Sequence, residues 1–263
     1  AEYTDRGVSS FDDDGFSLIG GIGSDENASN IPYVAWCWKA GGAAVSNSDG
    51  SITAQVSANQ TAGFSIATYS GGSGTVGHGL GKKPSLIIEK KRGTTSDWLV
   101  TTDVIDGSMD YLRLNTTAAA ASAVISAPTS TVFTPNIGAS TVVAYCWAEI
   151  EGYSKIGSYA GNGNVDGTFV YCGFKPAWLL VKRTDLGSSS YNWWIVDSSR
   201  SPVNGSTLSL YANLINAEIS IDGWDFLSNG FKARNSAPNR NSSSGTYIFM
   251  AFAESPFQTA NAK

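Results

Sequence analysis

The single histidine, His78, stands between glycines in Val76-Gly-His-Gly-Leu-Gly81. Imidazole is the side chain best suited to general-base work near neutral pH. Such a base needs a nucleophile, and no Gly-x-Ser-x-Gly elbow accompanies it. The flanking glycines fit a tight turn between strands, so His78 reads as a structural residue. Paired carboxylates are the other route to catalysis, as in glycoside hydrolysis. Asp103, Asp106, Asp110, Asp197, Asp222 and Asp225 are available. Asp103 and Asp197 fall at roughly matching places of the repeat described below, which points to turn formation. No catalytic residue and no enzyme is therefore expected, a polysaccharide depolymerase being the outlying alternative.

Oxygen-bearing side chains at alternate positions mark Asn162-Gly-Asn164-Val-Asp166-Gly167, like the opening of a calcium loop. The twelfth position of that frame is Gly173, where an EF-hand carries a bidentate glutamate. Asn162, Asn164 and Asp166 are the metal candidates, with Asx-turn chemistry as the competing explanation. No cofactor is expected. Tyr191, Trp193 and Trp194 follow the Gly187-Ser-Ser-Ser190 loop and are the ligand candidates. Neighbours on a strand point to opposite faces, so one of the adjacent tryptophans faces away from a single core. There it would serve a sugar ring or a partner subunit; a strand buried on both faces is the alternative.

The elements that must position these residues are strands. Of 263 residues 42% are apolar, and only 15% are charged, against about 25% in an ordinary globular chain. The 29 glycines, with abundant Ser, Thr and Asn, suit short strands and tight turns and leave little to decorate long helices. One or two helical turns are expected at most, over Thr116 to Val124 and Leu208 to Ala217. A net charge of -5 argues against nucleic-acid binding, which needs clustered Lys and Arg. The densest basic run (Lys82, Lys83, Lys90, Lys91 and Arg92) reads as a solvated strand edge. Three cysteines, Cys37, Cys146 and Cys172, are too few and odd in number for a disulfide scaffold, so folding in a reducing cytoplasm is expected. No signal peptide is read at the N-terminus, and no apolar run nears the roughly 20 residues of a membrane span.

The chain repeats itself. Tyr33-Val-Ala-Trp-Cys-Trp-Lys-Ala40, Val142-Val-Ala-Tyr-Cys-Trp-Ala-Glu149 and Tyr247-Ile-Phe-Met-Ala-Phe-Ala-Glu254 are alike. Each reads as a central strand apolar on both faces. Upstream of the last two, Gly63-Phe-Ser-Ile-Ala-Thr-Tyr-Ser-Gly71 matches Gly152-Tyr-Ser-Lys-Ile-Gly-Ser-Tyr-Ala-Gly161. Lys83-Pro-Ser-Leu-Ile-Ile-Glu-Lys90 matches Lys175-Pro-Ala-Trp-Leu-Leu-Val-Lys182, and Asp97-Trp-Leu-Val-Thr101 matches Asn192-Trp-Trp-Ile-Val196. Phe11-Asp-Asp-Asp-Gly-Phe16 resembles Phe226-Leu-Ser-Asn-Gly-Phe231 in spacing. The expected organisation is a partial N-terminal repeat and linker (1–61, residues 41–60 being the linker), full repeats over 62–150 and 151–257, and a tail over 258–263. Either the sequence is a segment of a longer repeat protein, or its N-terminal strands complete the sheet of the last copy.

These same residues resemble a repeated domain of bacteriophage structural proteins, mainly from phages of aquatic bacteria. The likeness is carried by Gly63-Phe-Ser-Ile, Tyr69-Ser-Gly71, Gly77-His-Gly-Leu-Gly81, Ile87-Ile-Glu-Lys90 and Trp98-Leu-Val100. It continues through Ala144-Tyr-Cys-Trp-Ala-Glu149, Gly152-Tyr-Ser-Lys-Ile-Gly-Ser-Tyr159 and residues 231–254. The second copy departs from it at the glycine turn, which becomes Tyr171-Cys-Gly-Phe174. The resemblance implies a tail-fibre or other virion surface part for host attachment, made in the host cytoplasm and acting outside the cell. It also implies a homotrimer that contacts other virion proteins. A lectin-like domain for surface polysaccharide is the alternative. The expected fold is all-β: an antiparallel, jelly-roll-like sandwich of tandem repeats.

Overall fold

The computed structural model describes residues 7–12, 14–19, 27–204 and 207–253. Among these the chain forms strands and no helix. In chain order they are β1 (Val8–Phe11), β2 (Phe16–Leu18), β3 (Val45–Asn47), β4 (Ala54–Asn59), β5 (Phe64–Gly71), β6 (Val76–Gly77) and β7 (Leu86–Lys91). Next come β8 (Leu99–Thr102), β9 (Asp110–Arg113), β10 (Ala121–Ser122), β11 (Val132–Phe133), β12 (Ser140–Trp147), β13 (Ser154–Ala160) and β14 (Phe169–Tyr171). The last are β15 (Pro176–Arg183), β16 (Trp194–Asp197), β17 (Thr207–Tyr211), β18 (Ile219–Ile221), β19 (Trp224–Leu227), β20 (Gly230–Ala233) and β21 (Thr246–Ala253). The segments read as short helices hold β10 and β17 or irregular chain instead.

Two large antiparallel sheets dominate. The first runs β10-β9-β8-β7-β12-β5-β4-β3 and the second β13-β21-β15-β16-β17-β18. Two small sheets, β11-β6 and β14-β20-β19, lie on their outer sides. The strands that were alike in sequence occupy the same places. Tyr69 pairs with Val142 as Tyr159 pairs with Tyr247. Leu86 pairs with Trp147 as Trp178 pairs with Phe252, and Val100 with Ile88 as Ile195 with Leu180. The two copies therefore share one register, which a single-residue slip would have turned inside out.

The central strands β12 and β21 are covered on both faces, as their continuous apolar runs require. In β12, Val142, Ala144 and Cys146 enter an outer core with Val76, Leu80 and Phe133. In β21, Tyr247, Phe249, Ala251 and Ala253 enter a second outer core with Val170, Trp224 and Phe231. The opposite faces meet in a third core between the sheets. There Phe64, Leu86, Ile88, Val100 and Trp147 of the first copy pack with Leu180, Trp193, Ile195, Ile248, Met250 and Phe252 of the second. The result is an all-β sandwich, with two equivalent sheets back to back. Hydrogen bonds cross the seam: Trp193 Nε1 donates to the Arg113 carbonyl at 2.9 Å and the Ala120 amide to the Thr184 carbonyl at 2.8 Å.

Two expectations are corrected here. Residues 41–60 are not a linker: β3 and β4 extend the first sheet beyond β5. Residues 33–40 are not a strand, although they repeat the sequence of β12 and β21. Each of those has two flanking partners, and among the described residues this third run has none. Its period-two pattern survives nonetheless. Trp36 and Trp38 turn inward while Cys37 and Lys39 stay exposed. Trp38 lies 6.2 Å from Trp147 and 5.6 Å from Phe252, ring to ring, so the matching aromatic residues of all three runs meet. Trp36 Nε1 donates to Asp197 Oδ2 at 3.1 Å. The segment is a strap against one end of the middle core. The hairpin β1–β2 pairs Phe11 with Phe16, as β19–β20 pairs Phe226 with Phe231.

Lys182 occupies the middle-core side of β15 with no exposed surface, and its Nζ donates to the Arg183 carbonyl at 2.5 Å. Burial pushes its ammonium down to about 8 from the usual 10.5. Below pH 8 the folded and unfolded chains both carry the proton, and the fold bears the full cost of the buried charge. Between pH 8 and 10.5 the folded state has shed the proton first, so stability rises with pH. Lys182→Met is expected to stabilise the protein at pH 7 by on the order of 3 kcal/mol. That gain should shrink steadily above pH 8, as read by urea unfolding of variant and parent across the range.

Candidate functional site

The two copies are directly comparable, and they differ on their small outer sheets. Val76 and Val170 both point inward and are buried, and Phe133 and Phe231 close the two pairs from the neighbouring strand. Gly79 and Gly173 follow at matching places, both with positive φ (70° and 83°) that favours glycine. Between them His78 matches Cys172, and both are buried. His78 Nδ1 accepts from the Leu80 amide at 3.2 Å, and Nε2 lies 3.3 Å from the Thr129 carbonyl, which requires the proton on Nε2. Burial holds the imidazole below its ordinary pKa, in the neutral form. Burial likewise pushes the Cys172 thiol up to about 12.

The outward positions of the same strands, β6 and β14, have diverged. In the first copy they are Thr75 and Gly77, and the chain around β3 covers them. Ser51 and Thr75 exchange two hydrogen bonds, of 3.1 and 2.9 Å. Asn47 lies over Gly77 so closely that a Cβ there would come within 1.7 Å of Asn47 Oδ1. In the second copy the positions are Phe169 and Tyr171, 43% and 65% exposed. As i and i+2 on one strand they stand about 7 Å apart on one face. Register carries the face across the small sheet. Phe169 faces Lys232, which faces Asp225; Tyr171 faces Gly230, which faces Leu227. Gly230 leaves a trough between Tyr171 and Leu227, and its own Cβ would strike the Val170 carbonyl at 2.0 Å.

Next to this aromatic shelf an open cleft of about 580 Å³ is lined by Val165, Asp166, Asn204, Asp222, Asp225 and Arg234. Lys232 reaches Asp166 at 2.5 Å, Arg234 Nε reaches Asp225 at 3.1 Å, and Arg234 NH1 lies 3.9 Å from Asp166. The Lys232 ammonium beside it, by hydrogen bond and by charge, holds the Asp166 carboxyl below its ordinary range. Asn204 is fixed by a two-way clasp on Phe226, donating to its carbonyl at 3.1 Å and accepting from its amide at 2.9 Å. Exposed rings beside fixed amide and carboxylate groups are the equipment of a site for a polyhydroxylated ligand.

The residues singled out in the sequence lie elsewhere or do other work. Trp193 and Trp194 are both buried (1% and 3% exposed), Trp193 in the middle core and Trp194 in the outer one. The expectation that one of them presents a platform is corrected, because this strand has a core on each side. Tyr191 is half-buried, with the Arg183 guanidinium 4.8 Å above its ring. Asn162, Asn164 and Asp166, the metal candidates, lie together in one loop that their own hydrogen bonds hold. Asn162 Oδ1 accepts from the Asn164 amide at 2.9 Å and from Asn241 Nδ2 at 2.8 Å, and Asn164 Oδ1 accepts from the Asp166 amide at 3.0 Å. The one carboxylate of the loop faces a lysine. Asp197 pairs with Trp178 and so matches Thr102, which pairs with Leu86, one place before Asp103. It accepts from Arg200 Nε at 2.7 Å and anchors the Trp36 strap. Phe169 and Tyr171 were not singled out. The signal available was the pair of bulky rings at alternate positions of Phe169-Val-Tyr171, where the first copy has Thr75-Val-Gly77.

Residues 1–256 match the family model described as a domain of unknown function, DUF7483. The chain belongs to the DUF7483 family. No curated protein and no solved structure matches it. This member has two back-to-back repeat sheets, and its exposed aromatic face, among the described residues, is on the second repeat.

Gly77→Tyr, which puts the second copy's residue into the first, is expected to destabilise by about 1–3 kcal/mol, because Asn47 and its loop must be displaced. Tyr171→Ala should change stability by less than about 0.5 kcal/mol, since an exposed ring is removed. Thermal melting of the two variants checks the pair.

Proposed function

We propose that this chain is a non-catalytic attachment module of a virion surface appendage, which holds a host-surface glycan on the outer face of β14, β20 and β19. The observation that carries the reading is the divergence of the duplicates. One copy covers β6 with the end of β3 and the loop that follows; the other leaves the same face open and furnishes it with Phe169 and Tyr171. Apolar rings left in water on one face mark a contact surface, and flat exposed rings match the C–H faces of sugars. The cleft beside them supplies Asn and Asp groups for hydroxyls.

Other features support the reading. The resemblance to phage virion components runs through both repeats. His78 is sequestered with both ring nitrogens engaged, which suits a scaffold better than a base. The basic run is spent internally in part: Lys83 pairs with Asp103, and Lys90 donates to the Ser96 carbonyl. In a trimeric appendage, three such faces would bind one cell surface together and multiply a weak single-site affinity.

Intact protein is expected to bind at least one bacterial surface polysaccharide on an array. Replacing both Phe169 and Tyr171 with Ala should weaken that binding about tenfold or more at unchanged melting temperature. Folded protein that binds nothing on a broad array contradicts the reading. Light scattering is expected to give a trimer; a monomer at high concentration would count against the appendage.

A further inference from the structure

The cleft beside the aromatic shelf has an unequal charge balance. Three carboxylates line it, Asp166, Asp222 and Asp225, and two cations reach it, Lys232 and Arg234. Both cations are committed. Lys232 is paired with Asp166, and Arg234 spans Asp225 and Asp166. Neither offers an unpaired charge to an incoming anion. Asp222 is exposed and forms no salt bridge among the described residues. Arg240 attracts it only at a distance, being held over the Trp194 ring at 4.7 Å. The surplus of the cleft is therefore one carboxylate that faces solvent, beside the Phe169–Lys232–Asp225 row of the sheet.

Resting on the glycan-binding reading above, we infer that this site selects saccharides that carry a protonated amine over saccharides that carry a carboxylate. The shelf holds the ring of any hexose, because every pyranose presents an apolar C–H face. Discrimination then falls to the cleft. A sugar ammonium there gains attraction and a charge-assisted hydrogen bond to Asp222. A uronate or sialate would have to approach that carboxylate, or break the ion pairs of Lys232 or Arg234 to be received. A neutral or N-acetylated sugar falls between the two.

Titration calorimetry separates this inference from the reading beneath it. The probes are oligomers of glucosamine, of N-acetylglucosamine and of galacturonate, each against the parent, Asp222→Asn and Tyr171→Ala. The glucosamine oligomer is expected to bind tightest, by about threefold over the N-acetylated form, as suits one exposed ion pair. The galacturonate oligomer should bind about tenfold more weakly than the glucosamine oligomer, or not at all. Asp222→Asn should bring the glucosamine and N-acetylglucosamine affinities together, and 0.5 M salt should do the same. Tyr171→Ala should weaken every sugar alike. Equal binding of all three oligomers, each lost in Tyr171→Ala, would overturn the charge selection and leave the glycan site standing. Tighter binding of galacturonate would also overturn it. Binding of none would overturn the selection for an amine, with the broad array deciding whether the glycan site falls too; binding indifferent to Tyr171 would overturn both.

Discussion

A β-strand that is apolar on both faces must be covered on both, and β12 and β21 set that requirement for the whole chain. Each becomes the middle of a sheet. One face of each sheet takes a small outer sheet, supplied by its own repeat. The other face has no cover of its own, and the two repeats meet this need by turning these faces toward each other. Phe64, Ile88 and Trp147 of one copy and Leu180, Ile248 and Phe252 of the other then form one core that neither copy completes alone. The Trp36–Trp38 strap packs against one end of it.

That internal economy frees the outer surfaces to differ. Residues facing the shared core are held by packing on both sides, so the copies keep a common register there. The outer strands are free to differ on their far side once their inner residues are buried, and there the covered Thr75 and Gly77 correspond to the exposed Phe169 and Tyr171. The third strand of the second repeat's outer sheet, β19, adds Trp224 and Phe226 to the outer core and Asp225 to the outward face. A single element thereby contributes to both stability and the candidate site.

Much of this was legible in the residues. The paired motifs identified the equivalent strands, and Lys83-Pro against Lys175-Pro anticipated the equivalent places of β7 and β15 in their two sheets. The glycines beside His78 announced a turn, but not that its ring is buried. What was not legible depends on partners, which local pattern does not name. Residues 33–40 have the sequence of a central strand without, among the described residues, flanking strands beside them. Trp193 and Trp194 alternate as a half-exposed strand would, but a core waits on each side. Asn162, Asn164 and Asp166 have calcium-loop spacing, but their oxygens serve amide groups, and only Lys232, far along the chain, explains the orientation of Asp166. The exposed rings of β14 become conspicuous only when the covered first copy is set beside them.

If the middle core joins the repeats, the chain unfolds as one unit despite its duplicated sequence. Differential scanning calorimetry tests this most directly. A single transition is predicted, with the van't Hoff and calorimetric enthalpies equal, and Trp193→Ala should lower it as a whole. Two separable transitions, with only the later repeat's shifted by Trp193→Ala, would contradict the shared core.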